Sequence, residues 1–360
     1  MSNAPKLLPR LMIRVGMLPL ALTFVSGPLH GQTWNDIFGP PPGSQDQWTR
    51  HFRIGALVGF NFKGQFSITG PTPGSSNPGG PGKGNHTYDD GYVKIDYTDN
   101  DGDLTVNWGY QNTNQLQGGM LNFHSVQSYA TSGSSGGSVD GDPQVGLELA
   151  YGGKITRLWG GALGWEFGFG WMPIDIENQL SGSASVTRLV HQYDVGTVIL
   201  PQPPYQGSFN GPGPTISGNA IDLGTETVPA AISGSQTLDL NFYNFRLGPT
   251  MQWQLHQRVS VLASVGAAFG IVDGGLKYNE TLTYTDTTTS TISGNSRDTE
   301  FVYGGYVAGT FLFHIERNGD LYLGFQYMPM SSATFSGDGR EGELDLTGAL
   351  YITAGFNWPF

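Results

Sequence analysis

The stretch LDLTGALYITAGFNWPF, residues 344–360, alternates apolar with polar or small side chains at a period of two. Because successive side chains of a strand point to opposite faces, this period predicts an extended strand with one apolar face. Leu350 and Phe356 lie on that face, and Asn357 lies on the other. A soluble antiparallel sheet gives the same alternation. The length of the tract, its aromatic end and its final Phe360 favour a strand of a membrane barrel instead.

Seven other tracts alternate in the same way, and most of them reach the ~9–11 residues that a tilted membrane strand needs. Together with the C-terminal tract they predict an all-β fold, a transmembrane antiparallel up-and-down β-barrel of eight strands. The seven tracts are 52–62, 145–151, 163–171, 243–253, 259–271, 301–313 and 321–327.

The connections between these tracts alternate in length. Short ones are predicted at 154–160, 255–258 and 316–319, and long ones at about 69–142, 189–235, 285–298 and 334–341. Short periplasmic turns and long external loops are typical of outer-membrane barrels. We therefore expect the barrel to span 51–360, with both ends of the mature chain in the periplasm.

The region 103–128 leaves the number of strands open. Alternate positions from Leu104 to Tyr110 are apolar or aromatic, and Leu121 and Phe123 follow after a short link. This region forms a hairpin within the wall, an external hairpin or an inward-folded loop. A hairpin within the wall would make ten strands, which is the alternative to eight because the strand number of such barrels is even.

The N-terminus has the pattern of a targeting segment. Three basic residues precede a short apolar run at 18–25, and small and polar residues follow it. This order predicts a secretory signal peptide over 1–31, cleaved near residue 27 or 31. The next segment, 32–50, is then a periplasmic N-terminal extension of the barrel.

Composition excludes several classes of protein. The 360 residues carry a net charge of −12, contain no cysteine, and include 55 glycines. Nucleic-acid binding needs clustered Lys and Arg, so this charge argues against a nucleic-acid partner. Without cysteine there is no disulfide scaffold, thiolate metal site or cysteine nucleophile. The seven histidines include no H-E-x-x-H pattern, so the sequence predicts no zinc site and no cofactor.

The acidic run 96–103 is the one candidate for a metal site. Asp99, Asp101 and Asp103 supply closely spaced carboxylates of the kind that bind Ca²⁺. The twelve-residue pattern of a calcium loop is incomplete, because with Gly102 at its sixth place a tyrosine stands first. A solvated acidic turn is the alternative interpretation.

A second local pattern bears on catalysis. His124 is followed by Ser125 and Ser128, a combination that could form a hydrolase dyad. No local signature of a known hydrolase surrounds these residues, and an ordinary polar position is the alternative. The sequence therefore predicts that the protein is not an enzyme.

Charged side chains occur on the faces that the barrel would enclose. An unpaired buried charge is costly, so we expect these residues to pair with one another, and a cross-strand pair between Glu166 and Arg246 is the preferred prediction. The predicted lumen-facing charges are Arg53, Lys63, Glu148, Glu166, Arg246 and Asp345.

The signal segment, the alternating strands and the closing Phe356-x-Trp358-x-Phe360 resemble those of small bacterial outer-membrane β-barrel proteins, the class of the outer membrane protein A, outer membrane protein W and opacity-like barrels. The resemblance implies a Gram-negative outer membrane, contact with its lipid, and recognition of Phe356, Trp358 and Phe360 by the barrel-assembly machinery. The tract YDDGYVKID (88–96) with NWGYQN (107–112) looks like a motif of its own, but it indicates no activity.

Three functions remain open. The first is a non-enzymatic outer-membrane barrel with a structural or surface-interaction role. The second is a narrow, porin-like channel for small or hydrophobic solutes, which the inward charges and glycines favour. The third is an outer-membrane enzyme acting on lipid or peptide, which requires a His/Ser/Asp cluster at the outer rim.

Overall fold

The computed structural model describes residues 50–68, 72–73, 77–132, 137–141, 143–285, 288–316 and 319–360. The predicted signal peptide and residues 32–49 lie outside this part of the chain. Its regular structure is almost entirely β-strand, with two short 3₁₀ turns at Asp101–Asp103 and Thr113–Gln115. In the described residues, no helix is long and apolar enough to cross a membrane.

Within the described residues, eight strands close into a ring in which each strand pairs antiparallel with the next, and the last pairs with the first. They are β1 (Arg50–Phe60), β2 (Gln144–Leu158), β3 (Gly161–Asp194), β4 (Asn219–His256), β5 (Val259–Tyr284), β6 (Asp298–Glu316), β7 (Gly319–Tyr327) and β8 (Leu350–Pro359). The predicted antiparallel barrel of eight strands is confirmed, and the ten-stranded alternative is wrong.

The two ends of the ring differ. Connections of only two residues join β2 to β3, β4 to β5 and β6 to β7 at one end, which we call the short-turn end. Arg50 and Phe360 lie there too, and their backbones bond each other at 3.0 and 2.9 Å. The connections 61–143, 195–218, 285–297 and 328–349 lie at the other end.

The polarity of the two faces inverts along β3. Near the short-turn end its outward side chains are apolar, as at Trp165 and Phe167, and its inward positions are polar or small, as at Glu166. From Met172 onward most inward side chains are apolar and buried, with Asn178 and Arg188 as polar exceptions, and most outward ones are polar, as at Glu177. An outward apolar face suits lipid, whereas an outward polar face suits water.

The same inversion occurs at the same height on the neighbouring strands. On β4 the outward side chains change from Tyr243 to Asp239, and on β5 from Ile271 to Asp273. Trp171 pairs in register with Tyr243, Tyr243 with Ile271, and Ile271 with Phe301. We call this row the boundary line, and the part of the chain beyond it, away from the short-turn end, the distal body.

The distal body consists of the extended upper halves of β3, β4 and β5 and of shorter strands laid against them. Met120–Ser132 pairs with the end of β3, and Thr289–Asn295 pairs with β5. Lys63–Ile68, Ser138–Asp140, Ala333–Gly337 and Arg340–Asp345 form a separate sheet. The remaining strands are Thr72–Pro73, Gly82–Lys83, His86–Tyr88, Gly91–Val93, Leu104–Thr105, Trp108–Tyr110, Leu116–Gln117, Tyr205–Gln206 and Ile216–Ser217.

The strands of the distal body change the bounds and the content of two predicted loops. The loop expected at about 189–235 shrinks to 195–218, because β3 and β4 run on for 34 and 38 residues in total. Their upper parts carry polar outward side chains, which a search for lipid-facing apolar rows does not find. The loop expected at about 69–142 contains several strands, and its region 103–128 lies beyond the wall. Of the eight wall strands, Met120–Ser132 pairs with the distal end of β3, and its other partners are the short strands Thr72–Pro73 and Leu116–Gln117.

The predicted C-terminal strand is also divided. Residues 340–345 belong to the separate sheet, and β8 starts at Leu350. Between them Leu346 and Ala349 turn inward and are fully buried. The alternation is therefore continuous in sequence, although its apolar residues face a core before residue 350 and the outside after it.

Three apolar clusters fill the interior of the distal body and the upper barrel in the described chain. The lower cluster lies at the boundary line and contains Leu57, Phe62, Met172, Leu240, Phe242 and Tyr351. The middle cluster contains Val126, Tyr129, Val186, Ile232, Leu282 and Ile292. The upper cluster contains Val93, Trp108, Leu121, Phe123, Tyr193 and Ile216.

Candidate functional site

A layer of charged side chains crosses the lumen below the lower cluster. Arg53 projects from β1, Glu148 from β2, Glu166 from β3 and Arg246 from β4, and each is between 0% and 3% exposed. All four were among the lumen-facing charges predicted from the sequence. They lie at inward positions on successive strands, because the period of two places every second residue inside the ring.

The layer is closed by short ion pairs. Arg53 Nη2 lies 2.5 Å from Glu166 Oε1, and Arg246 Nη1 lies 2.9 Å from Glu148 Oε2. Arg246 Nη2 also approaches Glu166 Oε1 at 3.6 Å, so the predicted Glu166–Arg246 pair is the longer contact of a network. Gln326 donates to Glu148 at 2.6 Å. Two cations and two anions neutralise each other, which is the condition for burying them.

The other two predicted lumen charges lie elsewhere. Lys63 and Asp345 are opposite each other in the sheet of the distal body. Asn61 adopts a left-handed backbone conformation with φ of 63°, and it separates the strand that carries Lys63 from β1. The chain therefore leaves the wall before residue 63, and the inward face of β1 does not continue to it.

Inward glycines make room for these large side chains. A Cβ on Gly168 would lie 2.6 Å from the guanidinium carbon of Arg246, and a Cβ on Gly55 would lie 2.3 Å from the hydroxyl of Tyr322. The lumen is thus filled at two levels in the described structure, by the charge layer and by the lower cluster above it.

A second polar chain lies nearer the short-turn end. Ser260 Oγ is 2.8 Å from His314 Nε2, His314 Nδ1 is 2.7 Å from Asp320 Oδ1, and Asn357 donates to Asp320 Oδ2 at 2.6 Å. These residues come from β5, β6, β7 and β8, and all are buried. This grouping was not predicted from the sequence. The pattern that could have revealed it is that each of these polar residues occupies an inward position on one of four consecutive strands.

A cavity of about 260 Å³ opens at the same end, and it reaches Ser260. His51 also lines it and bonds Glu166 of the charge layer at 3.1 Å. The rest of its lining includes Lys154, Arg157, Thr250, Gln252, Gln254 and Leu262.

The motif at 88–96 and 107–112 serves to attach the upper part of the distal body. Asp90 accepts hydrogen bonds from the backbone N–H of His124 at 2.9 Å and from its ring at 2.6 Å, and Asp89 accepts from Val126 N at 2.8 Å. Gly91 has φ of +155°, and a Cβ there would lie 2.2 Å from a backbone oxygen. The motif therefore has a structural explanation.

The candidate hydrolase dyad, which was one of two interpretations of His124, Ser125 and Ser128, does not form. His124 Nδ1 bonds Asp90, and its Nε2 lies 4.0 Å from Glu226. Ser125 points to the opposite face of the strand, as adjacent residues do. A bulge between Val126 and Ser128 shifts the alternation by one residue, so Ser128 also points away from His124.

The acidic run 96–103 forms a turn around Asp96. Asp96 accepts bonds from Thr98 N at 2.9 Å, Thr98 Oγ1 at 2.6 Å and Val106 N at 3.0 Å. Asp99, Asp101 and Asp103, the calcium candidates, are exposed on this turn. Among the described residues no group of three or more His, Asp or Glu side chains is placed to hold a metal ion.

Phe356, Trp358 and Phe360, the predicted assembly signal, all face outward and are exposed. Trp358 stacks on Phe52 of β1, with 6.3 Å between ring centroids. Aromatic side chains in this position form the girdles found at the lipid–water interfaces of barrels.

The chain resembles solved outer-membrane barrels at low similarity. The outer membrane protein OprG from Pseudomonas aeruginosa shares 9% identity over 88% of this chain and 98% of its own, with a TM-score of 0.30. The outer membrane protease OmpT from Escherichia coli shares 13% over 87% and 97%, with a TM-score of 0.29. The attachment invasion locus protein Ail of Yersinia pestis, solved with the heparin analogue sucrose octasulfate, shares 9% over 85% and 98%, with a TM-score of 0.25.

No family model and no curated protein matches the sequence. The fold class is that of small outer-membrane β-barrel proteins, which the closed ring of eight strands and the apolar outward band establish. These similarities are too low to transfer an activity from any of these proteins.

Glu166→Gln tests the charge layer. It leaves the buried Arg53 guanidinium facing a neutral amide, and breaking a buried ion pair costs about 3–5 kcal/mol. We expect urea unfolding of the detergent-folded protein to shift by that amount. Glu177→Gln, an exposed site on the same strand, is the matched control and should change stability little. Equal effects of the two substitutions on the free energy of unfolding would contradict a stabilising, buried ion pair at Glu166.

Asp96→Asn tests the turn of the distal body. Burial alone raises the pKa of the Asp96 carboxyl, but hydrogen bonds from Thr98, Val106 and Asn100 outweigh it and hold that pKa below its usual value. The carboxylate therefore stabilises the turn above the unfolded pKa of about 3.9, and this contribution is lost as pH falls through the lower folded value.

We expect Asp96→Asn to speed hydrogen exchange of the Val106 amide at neutral pH. The free energy of opening the turn should fall by about 1.5 kcal/mol or more, because a hydrogen bond to a charged group is lost. The difference from the wild type should shrink in strong acid, where Asp96 is protonated. Asp101→Asn, at an exposed site on the same turn, should leave the exchange unchanged. Unchanged exchange in Asp96→Asn would show that the carboxylate does not hold the turn.

Proposed function

We propose that the protein is a closed outer-membrane β-barrel that carries the distal body on the cell surface, where that body makes structural or recognition contacts. The single observation that supports this role most is the inversion of polarity at the boundary line. Below it the outward side chains suit lipid, and above it β3 continues for more than 20 residues, or about 70 Å of strand at ~3.3 Å per residue.

The orientation follows from the asymmetry of the connections. Short turns of outer-membrane barrels face the periplasm, and long connections face outward. This asymmetry supports a periplasmic location for the short-turn end, with Arg50 and Phe360, and a signal peptide at 1–31 would export the chain in agreement with it. In this orientation the exposed Phe356 and Phe360 are at the periplasmic end of the last strand, where the barrel-assembly machinery would meet them.

The filled lumen favours a surface role over a channel for small or hydrophobic solutes. A solute entering from the short-turn end would meet the Arg53–Glu166 and Arg246–Glu148 pairs, which are fully buried. Beyond them it would meet the lower cluster, where Phe62 and Phe242 are 0% exposed. Passage would require both layers to rearrange.

The arrangement at the outer rim also favours a non-catalytic role for the distal body. His124 is held by Asp90 against the hairpin at 86–93, and neither nearby serine faces it. Glu226 is engaged by Arg188 at 2.6 Å. These contacts join strands of the distal body to one another, which is what a projecting recognition surface requires.

Cysteine labelling of intact cells tests the surface role. Ile199 of the distal body and Trp159 of a short turn are 93% and 84% exposed, so they make a matched pair. We expect a membrane-impermeant maleimide to label Ile199→Cys on intact cells, and Trp159→Cys only after the outer membrane is permeabilised. Labelling of Trp159→Cys alone on intact cells would reverse the orientation and refute the proposal.

Recording from planar bilayers tests the closed lumen in the same preparation. We expect no discrete conductance steps from the purified protein, while a general porin reconstituted alongside gives them. Reproducible single-channel openings would contradict the closed barrel and favour the channel.

A further inference from the structure

We propose that Ser260, His314 and Asp320 form a hydrolytic centre for carboxylic esters inside the short-turn end of the barrel. Their links of 2.8 and 2.7 Å have the order nucleophile, base and orienting carboxylate. The centre lies at the opposite end of the barrel from the distal body, and it is an activity beyond the surface role proposed above.

The hydrogen bonds select the form of histidine that a base needs. Asp320 accepts from His314 Nδ1, so that nitrogen carries the proton and Nε2 keeps its lone pair toward the Ser260 hydroxyl. Asn357 holds the second oxygen of Asp320 at 2.6 Å. Asp320 and Asn357 are therefore positioning residues, and Ser260 and His314 are the reacting ones.

The strand ends around the centre are shaped by β-bulges. One lies between Gln254 and His256 opposite Ser260, and another lies between His314 and Glu316. Bulges at barrel rims re-aim the side chains beside them. The first bulge lies on β4 opposite Ser260, and the second lies on β6 beside His314.

The chain of hydrogen bonds ends at a cavity, which distinguishes it from the sealed charge layer. Ser260 is buried but lines the open cavity of about 260 Å³, and this cavity is the route by which a small substrate would reach its hydroxyl from the short-turn end. Gln254 is directly opposite Ser260 in the β4–β5 register and lines the same cavity. Its side-chain amide would supply a hydrogen-bond donor to an oxyanion formed at Ser260.

The cavity lining indicates the class of ester. Lys154 and Arg157 give it positive charge, and Leu262 gives it an apolar wall. A small ester with a negative charge on its acyl group or on its alcohol, and with a short apolar part, matches both features. We therefore assign the substrate as a small anionic carboxylic ester.

The reaction is a two-step acyl transfer. Ser260 Oγ bonds the carbonyl carbon as its proton moves to His314 Nε2, and the bond from that carbon to the alkoxy oxygen then breaks. The leaving oxygen takes the proton from His314. Water next attacks the acyl carbon as it gives a proton to His314 Nε2. The bond from that carbon to Ser260 Oγ breaks, His314 returns the proton to Oγ, and the carboxylic acid and free Ser260 result.

Active-site labelling in the folded full-length protein tests the centre. We expect a fluorophosphonate to form one adduct on Ser260, located by peptide mass spectrometry. Ser264→Ala, at an inward serine on the same strand, should retain the adduct, whereas Ser260→Ala should lose it. His314→Gln should slow labelling roughly 10²–10⁴-fold, the usual contribution of a general base. Heat-modifiable migration on a denaturing gel verifies that each variant is folded.

Turnover gives the second readout. We expect hydrolysis of p-nitrophenyl hemisuccinate to exceed that of the neutral butyrate, and Gln254→Ala to lower kcat by roughly 10²-fold with little change in KM, as the loss of an oxyanion donor does. Absence of an adduct on Ser260 in the folded wild type, or equal labelling in folded His314→Gln, would overturn the proposal. Either result leaves the surface role intact, because that role is tested at the other end of the barrel.

Discussion

The structure depends on one constraint, which is that a strand crossing lipid must present apolar side chains outward and have every backbone polar group paired. The closed ring satisfies the second requirement, and the rows that end at Trp171, Tyr243 and Ile271 satisfy the first. Once the strands leave lipid, the requirement reverses. The inward positions then carry the apolar residues and form a core of the kind found in a water-soluble β-protein.

This reversal explains why one chain contains two kinds of interior. Below the boundary line the outward surface is stabilised by lipid, so the lumen can hold charges provided that they are paired, as Arg246 and Glu148 are. Above it the interior must supply the hydrophobic stabilisation, at roughly 1.5–3 kcal/mol for each large side chain fully buried. Arg340 and Glu280 form a fully buried ion pair at 2.9 Å inside the distal body, and the Arg340 guanidinium lies against the rings of Tyr129 and Tyr278.

Sequence reasoning predicted the features that depend on local alternation. The wall strands, their number, the inward positions of Arg53, Glu148, Glu166 and Arg246, and the asymmetry of the connections all follow from the period of two. The same rule did not extend β3 past Trp171. Ile174 and Ile176 continue the alternation, but beyond Trp171 the apolar residues occupy the inward face and the polar residues the outward face. The alternation shows which residues share a face of a strand, but it does not by itself show where the surroundings of that face change from lipid to water.

Features that depend on contacts distant in sequence could not be predicted. Asp90 meets His124 across 34 positions, and Ser260 meets His314 across 54, because strand register and loop packing bring them together. Lys63 and Asp345 were assigned to the lumen because, like the inward residues of β1 and β8, they occupy odd-numbered positions of an alternating tract. A single left-handed residue, Asn61, ends the wall strand before Lys63.

The depth of β3 in the membrane tests the central claim most directly. Nitroxide labels placed singly at the outward positions from 163 to 187 would be compared for accessibility to oxygen, which concentrates in lipid, and to a water-soluble nickel chelate. The account predicts high oxygen accessibility up to Trp171 and a switch to nickel accessibility from Asp175 onward. A profile with no switch, or one that switches before Trp165, would contradict it.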